Sequence, residues 1–228
     1  MEVKSDKKIT QYSACGHDHD GHSHEHGENC THDHHNHDEH CHHSHEHDHH
    51  EHDHKADMIL WVERANTLRG DEDPHFICET YFNAAVYEKT ENQDNKKYLD
   101  FVQKGLAFAS AKPELLLEWQ ASFEMELGTY YLELNDLENA EQLLQKSFQY
   151  SLSHQDPVGL AFAQFYLAQV YENRKDNPKA KDLFQKALAI TKEHLLQEPF
   201  ASLRPQIEEK LSLLNSFSLK NKLKQFFK

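Results

Sequence analysis

Between His17 and His54 the chain is a dense run of potential metal ligands. It carries 18 of the 21 histidines found in 228 residues: His17, His19, His22, His24, His26, His32, His34, His35, His37, His40, His42, His43, His45, His47, His49, His50, His52 and His54. Neutral imidazole is the commonest protein ligand for zinc, copper and nickel. Three thiols, Cys15, Cys30 and Cys41, lie in or beside the tract and add softer donors. A tetrahedral zinc takes about four such donors, so this set matches roughly four or five ions. Imidazole and carboxylate alternate, as in HDHDGHSHEH (17–26) and HSHEHDHHEHDH (43–54). An interleaved carboxylate concentrates cations and orients a ring by accepting its second N–H. Spacing of i, i+2 on a flexible chain defines no one geometry. The expectation is several exchangeable sites for divalent transition metal ions (zinc, nickel or copper), with no organic cofactor. Protons compete for the same nitrogens, so loading should fall as the imidazoles titrate.

The same tract sets the charge. Its eleven acids face no Lys or Arg, whereas the rest of the chain has 28 acids against 24 bases, so most of the formal −15 belongs to the tract. Protonating every imidazole would carry it from about −11 towards about +7, which makes a pH-responsive tail a second reading. It contains no Ala, Val, Ile, Leu, Met, Phe, Trp or Tyr. Such a segment cannot offset the entropy of ordering itself, so residues 1–55 are expected to be disordered when metal-free. In composition the tract resembles the His-rich loops of zinc transporters and the tails of nickel and zinc metallochaperones.

Beyond His54 the chain reads as helices. ADMILWVERANTLRG (56–70) has apolar residues at helical spacing and ends in Gly. Asp73-Pro74, Lys112-Pro113, Asp156-Pro157 and Asn177-Pro178 each precede a helical pattern, and Pro suits the first helical position. Helices are expected near 57–69, 74–89, 95–111, 113–134, 137–153, 157–174, 178–197 and 203–216, with a short basic one near 219–227. No segment alternates as a strand does. No apolar run suffices for a transmembrane helix and no secretory h-region is present, so a cytoplasmic location with reduced thiols is expected. Nothing basic enough for nucleic acid occurs.

The helices repeat in pairs. Leu127, Gly128, Tyr131, Ala140, Leu144 and Ser147 align with Leu167, Ala168, Tyr171, Ala180, Phe184 and Ala187, all at an offset of 40. A weaker copy places Tyr87 44 residues before Tyr131 and Gly105 42 before Ser147. A fixed period of this kind marks stacked supersecondary units. The pattern resembles the tetratricopeptide repeat over roughly 74–197, although Trp is missing from its usual early position. The resemblance implies an all-α helical-repeat solenoid of about three helix pairs plus capping helices. The domains expected are a His-rich acidic tail (1–55), the repeat domain (56–217) and a basic amphipathic tail (218–228) carrying Lys220, Lys222, Lys224 and Lys228.

The resemblance also implies a concave groove lined by the first helix of each pair. By register it includes Tyr81, Ala85 and Glu88, then Met125, Thr129 and Glu133, then Phe165, Gln169 and Glu172. Aromatic or Met anchors beside carboxylates suit a peptide with apolar anchors and some basic character. The alternative is that Met125 and Phe165 belong to the core. The Lys, Asn and Arg of the family's chaperone-tail clamp are absent here. Cys78 has no identifiable base, and no His-Glu-x-x-His, P-loop or Cys-x-x-Cys motif occurs, so no enzymatic activity is expected. The functional expectation is a non-enzymatic adaptor for a protein or peptide partner, whose tail binds, buffers or delivers metal. The alternative is a plain scaffold or chaperone-like module whose tail only solvates or responds to pH. A weaker third reading is a regulator that binds a small peptide or couples to an enzyme.

Overall fold

The computed structural model describes residues 54–194 and 199–226, with side chains over 58–194 and 199–216. Eight helices follow in order: α1 (His54–Ala65), α2 (Pro74–Thr90), α3 (Asn95–Ser110), α4 (Pro113–Glu133), α5 (Leu137–Ser153), α6 (Pro157–Asn173), α7 (Asn177–Glu193) and α8 (Phe200–Phe226). Each packs mainly on the next, and α2, α4, α6 and α8 also touch in series. The described residues thus form an all-α, tetratricopeptide-like solenoid in which α2/α3, α4/α5 and α6/α7 are the pairs. The expected disorder and metal ligation of the tail fall on residues outside the described ones, apart from His54, the first residue of α1.

Aspartates start most of the helices. Asp73 accepts from the N–H groups of His75 and Phe76, Asp94 from Lys96 and Lys97, and Asp156 from Val158 and Gly159. Asp136 and Asp176 each accept one N–H bond, from Asn139 and Lys179. These bonds satisfy orphan donors of the first turn. Before four of these aspartates stands a left-handed residue: Gln93, Asn135, Gln155 or Lys175, with φ between 54° and 66°. The left-handed step lets the Asp N–H reach back into the preceding helix. Asp136 bonds Tyr131, Asp156 bonds Ser151 and Asp176 bonds Tyr171, each at 2.9 Å.

The expected helix boundaries need four corrections. The first helix ends at Ala65, short of 69. The side chains of Asn66 and Thr67 bond the carbonyls of Val62, Glu63 and Arg64 and compete with the helical ladder. The cap of α7 is Asp176, and Asn177 is already helical. That helix ends at Glu193, not 197. The two helices expected at 203–216 and 219–227 are one, Phe200–Phe226, with Pro205 inside it.

Burial follows the repeat. Ala140, Leu144, Ala168, Ala180, Phe184 and Ala187 are fully buried. Trp61 and Val62 of α1 cover a core of Phe82, Tyr98, Phe101, Trp119 and Phe123. At the other end Phe200, Leu203, Ile207 and Leu211 close the core around Phe165 and Phe184. Leu203, Ile207 and Leu211 stand 40 residues after Ala163, Leu167 and Tyr171. The last helix therefore continues the repeat register as the first helix of a further, incomplete unit.

Candidate interaction surface

The series α2, α4 and α6 exposes a face whose chemistry α4 sets, since that helix brings Glu126 and Glu133 to it and carries no Lys or Arg. Lys89 of α2 meets Glu133 at 3.1 Å, and its ammonium lies 4.8 Å from the Tyr98 ring centre. The Tyr98 hydroxyl donates to the Glu126 carboxylate at 2.9 Å. Burial, with Glu126 beside it, pushes the Tyr98 phenol well above its ordinary range. Burial also raises Tyr166 of α6, and Glu126 and Glu133 add to the effect. Two carboxylates of α4 thus face a tyrosine of the next pair. Farther along, Glu172 of α6 holds Lys210 of α8 at 2.8 Å. The result is an acidic and aromatic strip, partly neutralised at two points by lysines.

The residues expected in the groove are distributed unevenly. Tyr81 is half-buried, its ring 6.4 Å from Phe101. Glu133, Gln169 and Glu172 reach the surface, whereas Ala85 is buried. Met125 is 8% exposed and Phe165 5%, each inside a core cluster. The Phe165 ring meets Phe184 edge-on at 5.8 Å. Thr129 is buried and donates to the Glu126 carbonyl. The Glu88 side chain is 1% exposed, accepts from Asn92 at 2.8 Å and pairs with Lys97 at 3.5 Å. Its carboxylate fastens the α2–α3 junction and is not presented to a ligand. Sequence reasoning missed Lys89, Glu126, Tyr166 and Lys210. A signal for one pair existed, because Glu126 and Tyr166 stand 40 residues apart.

No catalytic constellation assembles among the described residues. Cys78 is fully buried, and burial pushes its thiol up to about 12, Lys112 opposing weakly. His75 accepts the Trp119 indole N–H at 3.2 Å, the His154 ring stacks on Tyr150 at 4.1 Å and the His194 ring on Phe200 at 5.3 Å. No group of three His, Cys, Asp or Glu side chains among the described residues converges on a metal site. Of Cys15, Cys30, Cys41 and the histidines from His17 to His52, all lie outside the described residues, as does the His54 side chain. No helix among the described residues is long and apolar enough to cross a membrane.

These features define a class: an all-α helical-repeat protein in which the first helices of the pairs, α2, α4 and α6, touch in series. A family model of the tetratricopeptide repeat matches residues 161–194, spanning most of α6 and all of α7 through His194. No curated protein and no solved structure matches the chain.

Proposed function

We propose that the chain is a non-enzymatic interaction scaffold that holds a protein or peptide partner on the α2–α4–α6 face and binds divalent transition metal ions with residues 15–54. The observation that supports it is the acidic and aromatic strip of Tyr81, Glu126, Glu133 and Tyr166. A partner with a basic group beside an apolar anchor would displace Lys89 from Glu133 and stack on the exposed tyrosine edges. Residues 1–53, rich in imidazole and carboxylate, would buffer or deliver zinc, nickel or copper close to that partner.

Two measurements test the halves separately. A photo-crosslinker at Gln169 should capture the partner, and Glu133→Lys with Tyr81→Ala should abolish capture. Capture that persists in both substitutions sinks the groove assignment. Zinc and nickel titrations compare the full chain with one beginning at His54. Equal uptake by the two removes the metal role, and the tail then reads as solvating or pH-responsive on a plain scaffold.

A further inference from the structure

On the opposite side of α4 from that strip, a cleft of about 610 Å³ opens between α4 and α5. At about 100° per residue, Leu117, Ala121 and Glu124 lie roughly 120–180° around α4 from Glu126 and Glu133. The two surfaces therefore cannot share one ligand.

Four amides stand in the cleft walls, among apolar surface from Leu117, Ala121 and Tyr150. Gln142, Gln145 and Gln149 rise along α5, and Gln120 faces them from α4. Forty residues later the places of Gln120, Gln142 and Gln149 hold Leu160, Asp182 and Ala189, while Gln145 is matched by Gln185, so three of the four amides are peculiar to this pair. An amide side chain both donates and accepts, as a peptide backbone does. From Gln142 to Ser153 the wall runs about 16 Å at helical rise. That matches roughly five residues of extended chain.

One carboxylate lies in the wall. The Glu124 side chain is only 8% exposed, so its carboxylate sits in a poorly solvated position. Gln120 donates to it at 3.1 Å, and Lys146 stands 3.8 Å away, beyond hydrogen-bond range, with 57% of its side chain exposed. This lysine screens the carboxylate loosely and is displaced at small cost. At the mouth, His154 stacks on Tyr150. Burial raises the pKa of the Tyr150 hydroxyl, and the charges of Glu118 and Asp156 close to it add to the effect. The equivalent of His154, His194, instead stacks on the core residue Phe200. An aromatic platform beside a shielded carboxylate is the environment a guanidinium favours, since it pairs with the acid and stacks by its plane.

We infer that the α4–α5 cleft is a second binding site, for a short extended peptide segment carrying an arginine. The arginine takes the place of Lys146 at Glu124, and the segment backbone pairs with the glutamines of α5. This site is independent of the partner face proposed above.

The test is a titration of the isotope-labelled full-length chain with acetylated, amidated Ala-Ala-Arg-Ala-Ala at physiological ionic strength, followed by amide chemical shifts. Perturbations should concentrate in 117–124 and 142–154. They should vanish when Glu replaces Arg in the peptide. Glu124→Gln should weaken binding about tenfold or more, the size of one charge-assisted hydrogen bond. Because Glu124 is buried, Gln145→Ala with Gln149→Ala, at exposed positions, provides a variant that keeps the fold and should also weaken binding. Shifts confined to Tyr130, Glu133 and Tyr166 would assign the peptide to the other face and overturn the cleft. Shifts confined to residues 1–53, or none at millimolar peptide, overturn it as well. None of these results bears on metal uptake.

Discussion

Gly105→Ala should destabilise the domain, although alanine is the better helix former and Gly105 lies inside α3. A Cβ added at Gly105 would enter the ring of Phe123, and even the third-nearest ring carbon would be only 2.7 Å away. Phe123 has no room to retreat. It is fully buried, 5.9 Å from the Phe82 ring and 6.2 Å from the Trp119 indole. Overpacking of this kind costs about 1–3 kcal/mol. The gain in helix propensity returns about 0.8–1 kcal/mol. A net loss of up to about 2 kcal/mol is expected, as much as a roughly thirty-fold fall in the folding constant. Urea titration read by far-ultraviolet circular dichroism and by tryptophan fluorescence measures it. Coincidence of the two probes checks that the unfolding is cooperative, which repeat proteins do not guarantee.

The sign of the coupling is the sharper quantity. In a Phe123→Leu background the ring is gone, and Gly105→Ala should become neutral or stabilising. The two single effects should therefore fail to add by more than about 1 kcal/mol. If Gly105→Ala stabilises the wild-type chain by its helix propensity alone, α3 and α4 do not approach closely enough for Phe123 to fill the space over Gly105. The account of the first junction then fails.

Three further outcomes are expected. Lys175→Gly relieves a left-handed φ of 66° and should stabilise by about 0.5–1 kcal/mol in the same urea assay, with Lys175→Val moving the other way. Burial pushes the Glu141 carboxyl up, but the Tyr171 hydroxyl and the Arg174 guanidinium outweigh it and hold the pKa below the ordinary carboxylate value. A depressed folded pKa gives stability that is present above the unfolded value and lost as pH falls through the folded one. The destabilisation caused by Glu141→Gln should thus be seen at about pH 7 and fade as pH falls below the ordinary carboxylate range of about 4. In a chain whose other three cysteines are changed to serine, Cys78 should resist iodoacetamide until denaturant is added. Rapid labelling of the native chain would contradict its burial.

Much of the fold was legible because its punctuation is chemical. Asp73, Asp136 and Asp156 lie immediately before helices that begin where Pro or an apolar run resumes, and all three cap as their residue type predicts. Errors came where two signals competed. Gly70 suggested a helix end, but Asn66 and Thr67 had already drawn the carbonyls of α1 to their own side chains. The break expected between 216 and 219 is absent, since without Gly or Pro there a run of moderate helix formers continues. The groove was less legible. Which residues of α6 stay open depends on α7 and α8. Phe165 is covered because Phe184 and the α8 cluster meet it, and periodicity alone does not rank contacts between helices so far apart in sequence. The tail's chemistry is read from composition, and it rests on the titrations above.

Side-chain volume explains why the repeat is imperfect at the junction places. Gly105, Ser147 and Ala187, 42 and then 40 residues apart, occupy one place in the pattern, and Phe123, Ala163 and Leu203, 40 apart in succession, another. At the first junction the smallest residue faces the largest, and Gly105 meets Phe123 directly. Phenylalanine can stand at 123 only because position 105 has no Cβ. At the second, serine is matched with alanine, and the Ser147 hydroxyl is buried without a partner. At the third, alanine is matched with leucine. At the first junction the departure from the consensus is therefore coupled in volume to the residue it faces. A residue moved from one repeat to the equivalent place in another, such as Ala187 to position 105, carries a cost that its similarity to the consensus hides. Replacing both members of a pair together is the exchange that packing at interior density tolerates.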